Sequence, residues 1–389
     1  MDVIIIGANH HNTLGVLRSL GKAGIRSLLI LISNEKRPYV SYSKYIKALK
    51  IINDESEIVS TLLALNNFKN ERSKPVVIAC ADSVASYLDL QYDKLKDLFS
   101  LPCANKKGVI SYYMNKEEMS SLARKIGLLV PKTEEVDIDD KSPNIDMPFP
   151  WIVKPLVSKF GKKSDIKRCY NQYDWEHYLE GKHCKNLQIQ ELIDKEYEFQ
   201  LIGCSLNGGD KVVIPGYAKN IRPSDVTNTG YLQYIPTKSL PVDFSLCQSF
   251  IKKTGYSGLF SMEFIHGKDG KNYFMEINFR NDGNSICVTA SGLNLPYLWC
   301  LTNNGYDINI EMKNIDTMRP VYVMPEFDDL ILLIKGKVSI ITWFRDFCKT
   351  DCFMEFSKKD IKPFFFALIK FLMRGFRYSL KMVGIIKNN

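Results

Sequence analysis

The chain has 389 residues, 45% hydrophobic and 24% charged, which excludes a disordered polymer and allows two or three packed lobes rather than one core. Its net charge of +9 is concentrated at the end: from Lys358 onward there are eight Lys/Arg against one Asp, so no basic nucleic-acid groove runs through the protein. Ten cysteines with no CxxC pair, and with only Cys348 and Cys352 four apart, give no zinc-site spacing and read as reduced thiols of a cytoplasmic protein.

The opening, MDVIIIGANHHN, has no basic n-region or small-residue cleavage site, and no apolar run reaches a bilayer-spanning length, so neither a secretion signal nor a membrane span is expected. VIIIG (3–7) is a β-branched run of the kind found in buried parallel strands. The segment 14–24 has helical spacing and ends at Gly24, and SLLILI (27–32) and PVVIACAD (75–82) read as further strands. Strands alternating with helices predict a parallel α/β lobe over 1–105. Gly7 is not part of a G-x-G-x-x-G, which argues against a dinucleotide site; His10, His11 and Asn12 are candidates for touching an anionic substrate.

A helix is predicted from Asn115 to about Ile126, with Met119, Leu122, Ala123 and Ile126 on one side and Gly127 as its stop. After a polar loop (137–148), PWIVKP, LQIQELI, YEFQLIGCSL, KVVIPGYAK, FSMEFIH and NYFMEINF read as strands. LNGGDK and GKDGK are hairpin turns between them, so this region is α+β with much antiparallel sheet.

The hairpin around GKDGK carries the strongest chemical signal. Glu276 and Asn278 are two apart on one strand and share a face, and Glu263 on the partner strand can oppose them. Three oxygen-bearing side chains on neighbouring strands suit Mg²⁺ or Mn²⁺, with phosphate and water oxygens completing the shell. The alternative, a solvated polar face, fits poorly with strands so apolar elsewhere.

This arrangement resembles the ATP-grasp superfamily. Strand-Glu, hairpin, Glu-Ile-Asn and then Arg280 is similar to the magnesium-binding strands of D-alanine–D-alanine ligases, carbamoyl-phosphate synthetase and the D-aspartate ligase group. The resemblance covers about 1–312. It implies an ATP-grasp fold with a Rossmann-like pre-ATP-grasp lobe at 1–105, an N-terminal subdomain at 106–185, a C-terminal subdomain with the metal strands at 186–312, and a C-terminal extension at 313–389.

By the same resemblance Lys116 and Lys154 reach the nucleotide phosphates. Ser158, Gly161 and Lys162 belong to the phosphate-covering loop, with Lys159 and Lys163 as further basic candidates. Glu191, Leu192 and Ile193 hold adenine, and either Glu196 or Glu198 holds ribose. Glu263, Glu276 and Asn278 bind metal. Arg280, Arg222 and Lys219 are the candidate cations for the transferred phosphoryl group and the tetrahedral intermediate. Some relatives carry an arginine two residues before the first metal carboxylate; this chain has Ser261 there.

The expected activity is ATP- and Mg²⁺-dependent activation of a carboxylate as an acyl phosphate, followed by coupling to an amine. Both substrates are expected to be small molecules, one of them carried on a cell-wall or capsular polysaccharide precursor. A non-catalytic ATP-binding protein and a kinase-like phosphotransferase are the alternatives. In the tail, Lys370, Arg374, Arg377 and Lys381 recur at helical steps, so 364–387 reads as a basic amphipathic helix within the basic segment 358–387. It either lies on the inner membrane face or packs its apolar side on the protein.

Overall fold

The computed structural model describes residues 1–65, 73–137, 145–155, 167–180, 186–224 and 229–382. The N-terminal lobe holds β1 (Val3–Ala8), β2 (Ser27–Ile32), β3 (Ile46–Ile52) and β4 (Val76–Ala79), a parallel sheet in the order β3-β2-β1-β4. β1 and β4 are buried on both faces, which is why they read as unbroken apolar runs. A helix, His11–Lys22, follows β1 directly. A Cβ on Gly7 would come 2.3 Å from Thr13 Oγ1, so this glycine allows strand and helix to meet closely.

The helix Lys116–Ile126 starts on Asn115, whose side chain accepts from the Glu117 and Glu118 amides, and stops at Gly127 with φ of 98°. The glycine stop is where the sequence put it, and Asn115 caps the helix rather than beginning it. It packs on the metal hairpin: Met119 is buried and its sulfur accepts the Ile277 N–H.

Beyond it lies a small sheet of β5 (Thr133–Asp137), β6 (Trp151–Pro155), β7 (Lys167–Cys169) and β8 (Asn186–Glu191), in the order β5-β8-β6-β7. It has its own core, built on Trp151, Val153, Trp175, Leu187 and Ile189. Only Leu192, Ile193 and Asp194 separate it from the first strand of the large sheet.

That large sheet contains β9 (Lys195–Leu206), β10 (Lys211–Val213), β11 (Gly216–Arg222), β12 (Tyr231–Pro236), β13 (Gly258–Gly267), β14 (Asn272–Asn278), β15 (Val321–Met324) and β16 (Cys352–Phe353). Its order is β14-β13-β9-β11-β12-β15-β16, with β10 paired to β9. One strand expected from KVVIPGYAK is therefore two, divided at Ile214 and Pro215. Residues beyond 312 are more than a tail, since β15 and β16 extend this sheet.

The extension also grips the N-terminal lobe. Arg18 donates to Asp360 Oδ2 at 3.2 Å and to the carbonyls of Met354, Glu355 and Asp360 at 2.7–3.0 Å. Asp360 in turn accepts from Ser43 Oγ at 2.8 Å and the Lys44 amide at 2.9 Å. The described cysteines are free, and no helix among the described residues is long and apolar enough to cross a membrane.

Candidate active site

The register of the large sheet decides which side chains share a face. Glu263 pairs directly with Glu276 on one side and with Gln200 on the other, and Gln200 pairs Ala218. Residues directly opposite in a ladder point the same way, so Glu198, Gln200, Ala218, Asn220, Ser261, Glu263, Glu276 and Asn278 form one surface. Asn278 Nδ2 donates to Glu263 Oε1 at 3.1 Å, and Gln200 Nε2 donates to the same oxygen at 3.0 Å. The three expected metal residues are thus brought together. Burial and the facing Glu276 carboxylate push Glu263 well above the usual carboxylate range.

Two cavities meet at this surface. One, of about 520 Å³, lies between the sheets and is lined by Lys116, Ile152, Lys154, Glu198, Asn220 and Glu276. The other, of about 260 Å³, is lined by His10, Asn12, Asp82, Thr229, Arg280 and Asp282. Gln200, Glu263 and Asn284 line both. The side-chain oxygens of Asn220 and Asn284 are buried without a hydrogen-bond partner, leaving unused acceptors along the cleft.

In the first cavity Lys154 Nζ donates to Gln190 Oε1 at 2.7 Å. Burial and the nearby Lys116 ammonium lower its pKa to about 8, with Glu276 opposing them. Of the two ribose candidates, Glu198 lines this cavity and is held by Lys195 at 2.6 Å. Glu196 is exposed and lies 3.9 Å from His266. Glu191 pairs Trp151, on the face away from Lys154, and its carboxylate accepts the Lys132 N–H at 3.3 Å. The Leu192 N–H is donated to the Pro150 carbonyl at 2.9 Å, so Leu192 keeps only its carbonyl for an edge hydrogen bond. Ile193 lies in the link between the sheets. Ser158, Gly161 and Lys162 lie outside the described residues.

In the second cavity Arg280 bridges the lobes. Its Nε and Nη2 reach both Asp82 oxygens at 3.1 and 3.2 Å, and Nη1 reaches Asp282 Oδ2 at 2.9 Å. Burial works against its charge, but Asp282 and Asp82 outweigh it and raise the pKa. Ser261 also donates to Asp282, at 3.1 Å. His10 borders the cavity, but burial, with His11 and Arg280 beside it, lowers its pKa to about 3, leaving it a neutral hydrogen-bonding group. Asn12 is spent pinning the lobes together through the Cys80 and Asn281 carbonyls. His11 turns to Thr229 at 3.3 Å and lies 3.5 Å from Glu355.

Two expected cations are elsewhere. Lys219 pairs Phe199, on the opposite face from Gln200 and Glu263, and its ammonium sits 3.8 Å above the Tyr197 ring. A β-bulge between Asn220 and Arg222 turns Arg222 off the Asn220 face. Its guanidinium is taken by Asp329 through two 2.8 Å hydrogen bonds and by Asp346 through a third of 2.8 Å. Gln200, Asp82, Asp282 and Asn284 were not anticipated. Gln200, two residues after Glu198 on one strand, had a same-face spacing as its signal; Asp82, Asp282 and Asn284, outside strands, had none.

Comparison with known proteins places this geometry. No family model matches the chain. It is 21% identical over 315 residues to a D-aspartate ligase of Enterococcus faecium, covering 75% of this chain and 74% of that protein. It superposes on an L-amino acid ligase from Bacillus licheniformis with a TM-score of 0.59 at 15% identity, covering 82% of this chain and 78% of that one. It also superposes on the biotin carboxylase domain of a Hydrogenobacter thermophilus 2-oxoglutarate carboxylase, solved with MgADP and bicarbonate, with a TM-score of 0.61 at 15% identity over 83% of this chain and 73% of that one. The chain has the ATP-grasp fold. The small and large sheets face each other across the cleft, and the acidic hairpin is the β14–β13 edge of the large sheet.

Proposed function

We propose that this protein is an ATP- and Mg²⁺-dependent carboxylate–amine ligase. The observation that carries the reading is the opposed Glu263 and Glu276, with Asn278 beside them, where a lysine-lined cleft meets an arginine-lined pocket. Two facing carboxylates, one with its pKa forced upward, and two unpartnered amide oxygens fit a hard divalent cation. Among the described residues no three His, Cys, Asp or Glu side chains cluster as a complete metal cage. Mg²⁺ bound at the two carboxylates, with phosphate oxygens completing its shell, would neutralise phosphate charge.

The chain's own groups then have defined work. Lys116 and Lys154 offer ammonium groups to the polyphosphate, Glu198 accepts from the ribose, and the backbone carbonyl of Leu192 is offered to adenine. Arg280 binds the acid substrate through its planar fork once the acid displaces Asp82, which occupies Nε and Nη2 here. Once the acid attacks the γ-phosphate, Arg280 supports charge on the acyl phosphate and on the tetrahedral centre formed by the amine. His10, with its pKa lowered to about 3 and its Nδ1 accepting the Asn12 N–H, is a hydrogen-bonding group rather than a base, so the amine's proton leaves to water or with the released phosphate. The likenesses to a D-aspartate ligase and an L-amino acid ligase favour an amino acid as one substrate. An acceptor on a cell-wall or capsular polysaccharide precursor follows from the sequence resemblance. A requirement for ATP is consistent with the cytoplasmic location expected from the sequence.

The test is a panel of amino acids and amines incubated with protein, ATP and Mg²⁺. Phosphate release that requires both an acid and an amine is the expected result. Release with the acid alone, leaving a stable phosphorylated product, makes the protein a phosphotransferase. Nucleotide binding without turnover across the panel makes it a non-catalytic member of the fold.

A further inference from the structure

The helices Ile340–Lys349 and Lys362–Met382 turn large apolar side chains outward. On the first, Ile340, Ile341 and Phe344 are 63–80% exposed and share a face with Phe347. On the second, Phe365, Ile369, Leu372 and Met373 are 52–59% exposed and recur at helical steps. The opposite side of this helix is the one that packs. Phe366 stacks on Tyr42 at 3.5 Å, Phe364 and Phe371 flank Phe327 at 5.6 and 5.2 Å, and Lys370 pairs Glu35. Intramolecular packing therefore uses one stripe and leaves a second apolar stripe uncovered.

The two outward faces belong to one surface. A seam of ring contacts, Phe347–Phe353 at 4.9 Å, Phe353–Phe356 at 6.1 Å, Phe356–Phe364 at 5.3 Å and Phe364–Phe365 at 5.9 Å, joins them. Single exposed apolar residues are ordinary, but a joined set of this size marks an interaction site. Its surroundings are cationic. Lys358, Lys359, Lys362 and Arg374 are exposed and have no ion-pair partner among the described residues. The segment from Lys358 onward carries eight Lys/Arg and one Asp.

We infer that this two-helix surface docks on an anionic lipid bilayer, its apolar side chains seated at the headgroup boundary and its cations among the headgroups. A second copy of the chain is the poorer occupant, because pairing like faces would bring two strongly cationic segments together. No described helix can cross a membrane, so the protein lies on the surface rather than through it. The inference is independent of the reaction proposed above.

The test is co-sedimentation of the full chain with phosphatidylcholine vesicles, with and without phosphatidylglycerol. Binding is expected with phosphatidylglycerol only, weakening as salt rises. Neutralising Lys358, Lys359 and Lys362 to Gln should weaken it roughly a hundredfold, at about one kilocalorie per charge near the surface. Ile341→Ser with Phe344→Ser, and separately Leu372→Ser with Met373→Ser, should release the protein while leaving its melting temperature within a few degrees. Absence of vesicle binding, equal binding to neutral vesicles, or retention by both serine pairs overturns the inference. So does a micromolar dimer, free of lipid, that the serine pairs dissolve.

Discussion

Replacing Arg222 with methionine should loosen the C-terminal extension rather than slow a chemical step. The guanidinium makes three 2.8 Å hydrogen bonds, two to Asp329 and one to Asp346, and these acids are only 1% and 8% exposed. Removing the cation leaves Asp329 buried without a counter-ion, while Asp346 keeps Arg345 at 3.1 Å, a loss of about 3–5 kcal/mol for a broken buried pair. At 1.4 kcal/mol per factor of ten, the population with Glu326–Ile334 and Ile340–Lys349 undocked should rise from roughly a hundredfold to a few thousandfold. Native-state hydrogen exchange over 326–349 reads this directly. Adding Asp329→Asn and Asp346→Asn should recover most of the protection, because a site neutral throughout lacks the unpaired charge. Unchanged exchange, with turnover lost and not restored by the two asparagines, would show that Arg222 works in the cleft and sink the argument.

Glu276→Gln should lower acid- and amine-dependent phosphate release at least a hundredfold, and abolish the Mg²⁺-dependent part of ATP's thermal stabilisation while the Mg²⁺-free part survives; full turnover would remove the metal assignment. Lys154, with its pKa lowered to about 8, is charged below that pH and neutral above it. ATP affinity measured calorimetrically should therefore fall as pH rises past 8, by up to about tenfold per unit, and Lys154→Met should flatten the profile; a flat wild-type profile from pH 7 to 9.5 would refute the role. Glu198→Gln should weaken ATP roughly tenfold or more, as loss of a charge-assisted hydrogen bond does, and Glu196→Gln by less than twofold; the reverse order would reassign the ribose contact.

What could be read from the chain is what neighbouring residues impose on one another. Apolar runs marked β1, β2 and β4, apolar periodicity and a glycine stop marked the helix that ends at Ile126, and a hairpin turn placed Glu263 opposite Glu276 because its two strands are joined by a few residues. Period-two alternation likewise put Asn278 beside Glu276. Lys219 and Arg222 could not be settled this way. The side on which Lys219 emerges depends on the register of β11 against β9, and a bulge turns Arg222 toward acids more than a hundred residues away. The tail's two roles were posed as alternatives because amphipathicity is local, whereas the choice of which stripe meets Tyr42 and Phe327 is made by packing between distant segments. Local periodicity and turn chemistry are properties of contiguous sequence. Inter-strand register, bulges and the pairing of remote charges arise only when the folded chain weighs all its contacts together.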